Sequence, residues 1–130
     1  MSFKSWGSGY RGLAVDVAVI CPLAASHLRE EEPCESYAIR HKHARYDESF
    51  KDSDYDFVAM VFETSGAVNT EGLEILKQIF LCASKRTCQP HSAFCARAWA
   101  RLSCCVQISV AQMILNREID DSMQHVAAID

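Results

Sequence analysis

Asp16 stands inside the run Leu-Ala-Val-Asp-Val-Ala-Val-Ile-Cys, residues 13 to 21, and is its only charged residue. An ionised carboxylate in such a run is costly unless it is ion-paired, hydrogen-bonded or bound to a metal. Downstream, Lys42 and Tyr46 lie four residues apart, with His43 three before Tyr46 and Arg45 three after Lys42. On a helix that spacing puts the lysine and the tyrosine on one face, able to point together at the strand carrying Asp16. Such a set suits phosphodiester hydrolysis. Carboxylates hold Mg2+ or Mn2+, the metal polarises the phosphate and helps make hydroxide, and a nearby lysine steadies the water or the developing charge. Equally, Asp16 serves as a strand acid that caps or pairs with a neighbouring base. Arg40 and Arg45 bracket the basic run Arg40-His41-Lys42-His43-Ala44-Arg45, which either contacts a nucleic-acid backbone or forms a solvated helix face. Glu63 closes a second apolar run and is either a further acid of the site or a cap for the turn at Thr64-Ser65-Gly66.

The cysteines are the other reactive set. Seven is an odd number, and Cys104 and Cys105 are adjacent in a helical pattern where neighbouring side chains diverge, which disfavours a disulfide framework. Cys21, Cys82, Cys95 and one of Cys104 or Cys105 read as small core hydrophobes in a reducing compartment. Cys82, Cys88, His91 and Cys95 offer soft ligands, but their spacing matches no zinc knuckle or ribbon, so zinc is not expected. A Cys-His nucleophilic pair is not selected by any motif. The chain carries neither a glycine-rich phosphate loop nor a dinucleotide fingerprint.

The elements that must position these residues follow from hydrophobic pattern. Residues 13 to 21, closed by Pro22, read as a strand buried on both faces. A helical stretch over 24 to 32 is interrupted by Pro33, and a stronger helix runs from about Cys34 to Lys51. Phe57 to Phe62 form a second buried strand, and strand, helix, strand implies a right-handed parallel crossover. Thr70, with Glu71 and Glu74 in the first turn, opens a helix from about 70 to 86 that ends on Lys85 and Arg86. Beyond Pro90 a last helix covers His91 to Glu118. The fold class is therefore α/β, a small sheet with a strand-helix-strand crossover followed by two C-terminal helices. One domain is expected over residues 1 to 119, with a frayed tail over 120 to 130. Trp6 to Tyr10 reads as a turn between two short extended pieces, and with only two strong strands the sheet looks incomplete at its upstream end.

Bulk composition sets the limits. With 49% hydrophobic and 23% charged residues, the 130-residue chain has a globular composition. A net charge of −4 argues against indiscriminate nucleic-acid binding, so any DNA contact must be local. The uncharged stretch from Leu102 to Asn116 is too short and too polar to cross a bilayer, and the N-terminus has no apolar signal region, so an intracellular chain with no membrane span is expected.

The order Asp16-Val17-Ala18-Val19, Pro22-Leu23, Lys42-x-x-Arg45-Tyr46, Phe57 through Phe62 and Glu63-Thr64-x-Gly66 resembles the segment downstream of reverse transcriptase in non-LTR retrotransposon-type proteins. The resemblance spans about residues 13 to 117 and implies a partial restriction-endonuclease-like sheet. It further implies a Mg2+- or Mn2+-dependent endonuclease that nicks target DNA, beside an adjoining polymerase domain. Asp16 would match the second metal-binding acid, with Glu63 as a further metal ligand. Lys42 and Tyr46 would match the helix lysine and tyrosine of the site, while Arg40 and Arg45 would touch the DNA backbone. Two departures set this chain apart. No Pro-Asp pair precedes Asp16, so the first acid is lacking, and Ala18 stands where related nucleases often carry a lysine. The expectation is a fragment or remnant that is inactive alone. A rival reading is a non-catalytic α/β module that associates with a partner or a second copy through the helices after residue 70.

Overall fold

The computed structural model describes the backbone of residues 2 to 3 and 11 to 127 and the side chains of residues 11 to 117. The turn expected at Trp6 to Tyr10 lies outside the described residues. Strand β1 is Ser2–Phe3 and strand β2 is Gly12–Ile20. The crossover consists of α1 (Pro33–Tyr37), a π-helical turn (Ala38–His43) and α2 (Ala44–Phe50). Strand β3 is Tyr55–Glu63, and helices α3 (Thr70–Arg86) and α4 (His91–Ala127) complete the chain.

The three strands lie in the order β1-β2-β3, with β1 antiparallel and β3 parallel to β2. The chain is thus α/β, built on the parallel pair that the two apolar runs imply. In the parallel register Asp16 faces Ala59 and Ile20 faces Glu63. Alternation along the strands supplies two cores. Leu13, Val15, Val58, Met60 and Phe62 meet Ile75, Leu76 and Phe80 of α3, with Phe94, Trp99 and Leu102 of α4 packed behind. On the opposite face Ile20, Ala59 and Val61 meet Cys34 and Ala38 of the crossover.

Three sequence expectations need correction. Residues 24 to 32 form turns rather than a helix, closed by bonds such as His27 N to Ala24 O at 2.8 Å. Pro33 stops a helix begun upstream from running on into α1, and the His27 side chain bonds Glu30 at 3.0 Å within the turn. The last helix runs on to Ala127 instead of stopping near Glu118. Between His91 and Arg117 the helix holds an 18-residue stretch of mean hydropathy 1.3, long and apolar enough to cross a bilayer by length and composition alone. Its first half leans on the core through Phe94, Ala98, Trp99, Leu102 and Val106, while Ile108, Met113, Ile114 and Leu115 are exposed.

The third correction concerns cysteine. All seven are free thiols, and the only buried one is Cys34, whereas Cys21, Cys82, Cys104 and Cys105 are exposed and Cys95 is half-buried. Burial, with the nearby Glu63 carboxylate adding to it, pushes the Cys34 thiol up to about 12, which keeps it protonated and inert.

The outer edge of β3 is closed by side chains that imitate a strand. Buried Asn69 accepts from Val61 N at 2.8 Å through Oδ1 and donates to Ala59 O at 2.8 Å through Nδ2. Its own amide donates to Val61 O at 3.1 Å, and Glu63 N donates to Ala67 O at 2.8 Å. Glu71 Oε2 accepts from Ala59 N at 3.1 Å. Asn69 occupies the N-cap position of α3, yet its side chain serves the sheet instead of the helix. The helix start is served by Glu35, whose carboxylate accepts from Thr70 N.

Candidate functional site

Lys42 Nζ donates to Asp16 Oδ2 at 2.9 Å. The two residues come from the strand and from the π-helical turn of the crossover, 26 positions apart. Both are largely withdrawn from water, with side chains 17% (Lys42) and 33% (Asp16) exposed. The partner that the charge of Asp16 demands is therefore Lys42. The wide π-helical turn sets its direction, since Lys42 falls within Ala38–His43.

Beside the pair lies a groove of about 560 Å³ lined by Ala14, Val15, Asp16, Tyr46, Phe50, Tyr55 and Phe57. Tyr46 and Asp16 share this groove, as the spacing implies. It opens toward the N-terminal ends of β2 and β3, since Gly12 stands beside Tyr55 in the register. Sites of open α/β sheets usually lie at the other end. The floor is aromatic: Phe57 meets Phe50 and Tyr46, each at 5.3 Å between ring centroids, and His43 edge-on at 5.4 Å.

The basic run is mostly engaged within the fold. Arg40 binds Glu30 at 2.9 Å, and hydrogen bonds from His27 and then Ser36 hold the Glu30 carboxyl below its ordinary range, against the effect of burial. The Arg45 guanidinium lies over the Tyr46 ring at 5.3 Å. His41 packs on Tyr37 at 4.7 Å. Arg40, His41 and Arg45 remain exposed to solvent beside these contacts.

His43 is the residue whose role the sequence conceals. Nδ1 donates to Asp47 Oδ1 at 2.8 Å and Nε2 donates to Glu71 Oε2 at 2.8 Å, so both ring nitrogens face carboxylates and the imidazolium is the form that satisfies them. Burial lowers the His43 pKa, but the hydrogen bonds and charges of Asp47 and Glu71 outweigh it and raise the net value. The bridge ties the crossover to the first turn of α3, and through Glu71 to the backbone of β3. The acid three residues into Asn69-Thr70-Glu71 looks in sequence like ordinary helix-start chemistry, and nothing links it to His43.

Glu63 does not join Asp16. Four register positions separate them, about 13 Å along the strands. Glu63 accepts instead from Ser65 Oγ at 2.7 Å in the turn that follows β3, the capping role the sequence left open. Among the described residues no group of three or more His, Cys, Asp or Glu side chains stands close enough to hold a metal ion. Mg2+ takes an octahedral oxygen shell with at least one free carboxylate. The groove offers Asp16 alone, already engaged by Lys42, so the described residues fit such an ion poorly.

His91 and Cys95 also meet, with Sγ 3.6 Å from Nδ1 and 3.5 Å from Nε2. A sulfur equidistant from both nitrogens is not aligned on either one, so this is packing within a helix turn rather than a nucleophile and its base.

Comparisons with protein families, curated proteins and solved structures returned no match to this chain.

Proposed function

We propose that this chain is the remnant of a metal-dependent DNA endonuclease domain of a retroelement protein, restriction-endonuclease-like in fold and inactive alone. The observation carrying the reading is the 2.9 Å meeting of Lys42 with Asp16, strand acid and crossover lysine in the order the resemblance implies, with Tyr46 in the same groove. In such a site Lys42 neutralises charge building on a phosphate, and the Tyr46 hydroxyl orients that phosphate or the lysine. Asp16 holds Lys42 in place but does not by itself supply a metal shell. The Mg2+ or Mn2+ chemistry of a complete enzyme therefore has too few acids here. Arg45 and Arg40 are the cations the resemblance assigns to a DNA backbone, each needing release from its present contact.

The test is incubation of the folded protein with supercoiled plasmid and Mg2+ or Mn2+. No nicked product is expected. Nicking that disappears in both Asp16→Ala and Lys42→Ala would establish an active nuclease and overturn the remnant reading.

A second reading, a non-catalytic association module, draws on the exposed Ile108, Met113, Ile114 and Leu115 of α4 and the exposed Val17 and Val19 of β2. Divalent-metal stabilisation that Asp16→Asn abolishes favours the nuclease lineage, and a metal-indifferent dimer held through the helices after residue 70 favours the module.

A further inference from the structure

The two edges of the parallel pair are treated differently. The β3 edge is closed by Asn69, Glu71 and Ala67, so no strand can be added there. On the other side the described residues of β1 pair with Leu13 and Ala14. Gly12 N and Ile20 O both point toward β3 and its flanking residues, bonding Asp54 O at 2.7 Å and Thr64 N at 2.9 Å. By strand alternation, the N–H and C=O groups of Val17 and Val19 point the opposite way, toward the edge. Among the described residues nothing pairs with that edge from Asp16 to Ile20. Their side chains are 51% and 41% exposed, although they share a face with buried Leu13 and Val15. Neither a proline nor an outward charge protects the window, since its single charge, Asp16, is turned to Lys42 on the other face.

We propose that this edge binds a second copy of the same chain, β2 against β2 antiparallel about a two-fold axis at Ala18. The free backbone groups fix the occupant as an extended strand. The window's own symmetry fixes it as a copy. With Ala18 on the axis, Val17 of one protomer stands opposite Val19 of its partner, and both carry the outward N–H and C=O that a hydrogen-bonded antiparallel pair requires. A shift of one residue would oppose groups that point inward, and with the axis at Val17 or Val19 only that one residue of the window would pair with its own copy, so the Ala18 axis engages the window most fully. Asp16 then faces an Ile20, with no like charges opposed. The four valines form one apolar patch flanked by the α3 and α4 layers of both copies. This proposal does not depend on the nuclease reading.

The experiment is sedimentation equilibrium on the full chain, beside Val19→Pro and Val17→Lys. Neither substitution removes a β2–β3 hydrogen bond, and far-UV circular dichroism with a cooperative melt verifies folding. Met113→Glu on the exposed end of α4 is the control. A species of two 14.6 kDa chains is expected for wild type and Met113→Glu, and monomer for both β2 variants. Amide exchange at Val17 and Val19 should slow as concentration rises. A wild type that stays monomeric overturns the proposal. So does a dimer that survives both β2 substitutions, and one abolished by Met113→Glu alone places the interface on α4.

Discussion

A Cβ placed on Gly72 would stand 2.6 Å from Oδ1 of Asn69. It would also lie 3.1 and 3.2 Å from Cγ and Cα of Met60. The glycine is therefore where α3 approaches β3 closely enough for Asn69 to reach the strand backbone. Gly72→Ala should gain about 1 kcal/mol of helix propensity. Displacing buried Asn69 from its strand bonds should cost more, about 1 to 3 kcal/mol. The expected result is net destabilisation in urea titration, with faster amide exchange at Val61. A stabilised Gly72→Ala protein would mean that Asn69 can shift without losing its bonds.

The Asp16–Lys42 pair separates charge from shape. Because both side chains are mostly withdrawn from water, Asp16→Asn leaves a lysine without its counter-charge and should cost about 1 to 3 kcal/mol. Adding Lys42→Met to Asp16→Asn should recover much of that loss, because an apolar chain then occupies the site. A double-mutant cycle by chemical denaturation measures the coupling. Strictly additive losses would make the pair a surface contact of little consequence.

The His43 bridge makes stability depend on pH. Its folded pKa is raised above the ordinary value of 6.5. The contribution is thus fully present below about pH 6.5 and is lost as pH rises through the raised folded value. The melting temperature should fall as pH rises above about 6.5, and His43→Gln should flatten that fall. Titration of the His43 ring by NMR gives the direct reading. A His43 that titrates below a free histidine would remove the bridge from this account.

Much of this fold is written locally, and the site is only half so. The runs 13 to 21 and 57 to 62 become β2 and β3 within two residues, and α3 spans the expected 70 to 86. Apolar patterning reports burial well for β3, where Val58 to Phe62 are buried, but less well for β2, whose apolar run implies burial on both faces although Val17 and Val19 are exposed. The meeting of Asp16 with Lys42 was legible because a charge in an apolar run demands a partner and the crossover returns one basic face to the strand. Edge capping by Asn69 was not, since its signature is that of a helix N-cap and only the tertiary approach at Gly72 diverts the side chain. Nor was the exposure of the cysteines, because an apolar residue type says nothing of which helix side finds a partner.

The remnant reading makes its sharpest prediction at Ala14. Ala14 lines the groove two residues before Asp16, on the same strand face. A carboxylate there would sit about 6.6 Å along the strand from Asp16, within reach of a shared ion. Without metal, Ala14→Asp should destabilise the fold, because two partly buried acids repel and only one lysine serves them. With millimolar Mn2+ the lost melting temperature should return, and adding Asp16→Asn should abolish the return. Wild type should respond far less. If Ala14→Asp is destabilised equally with and without Mn2+, the groove lacks more than an acid, and descent from a metal-dependent nuclease loses its main physical support.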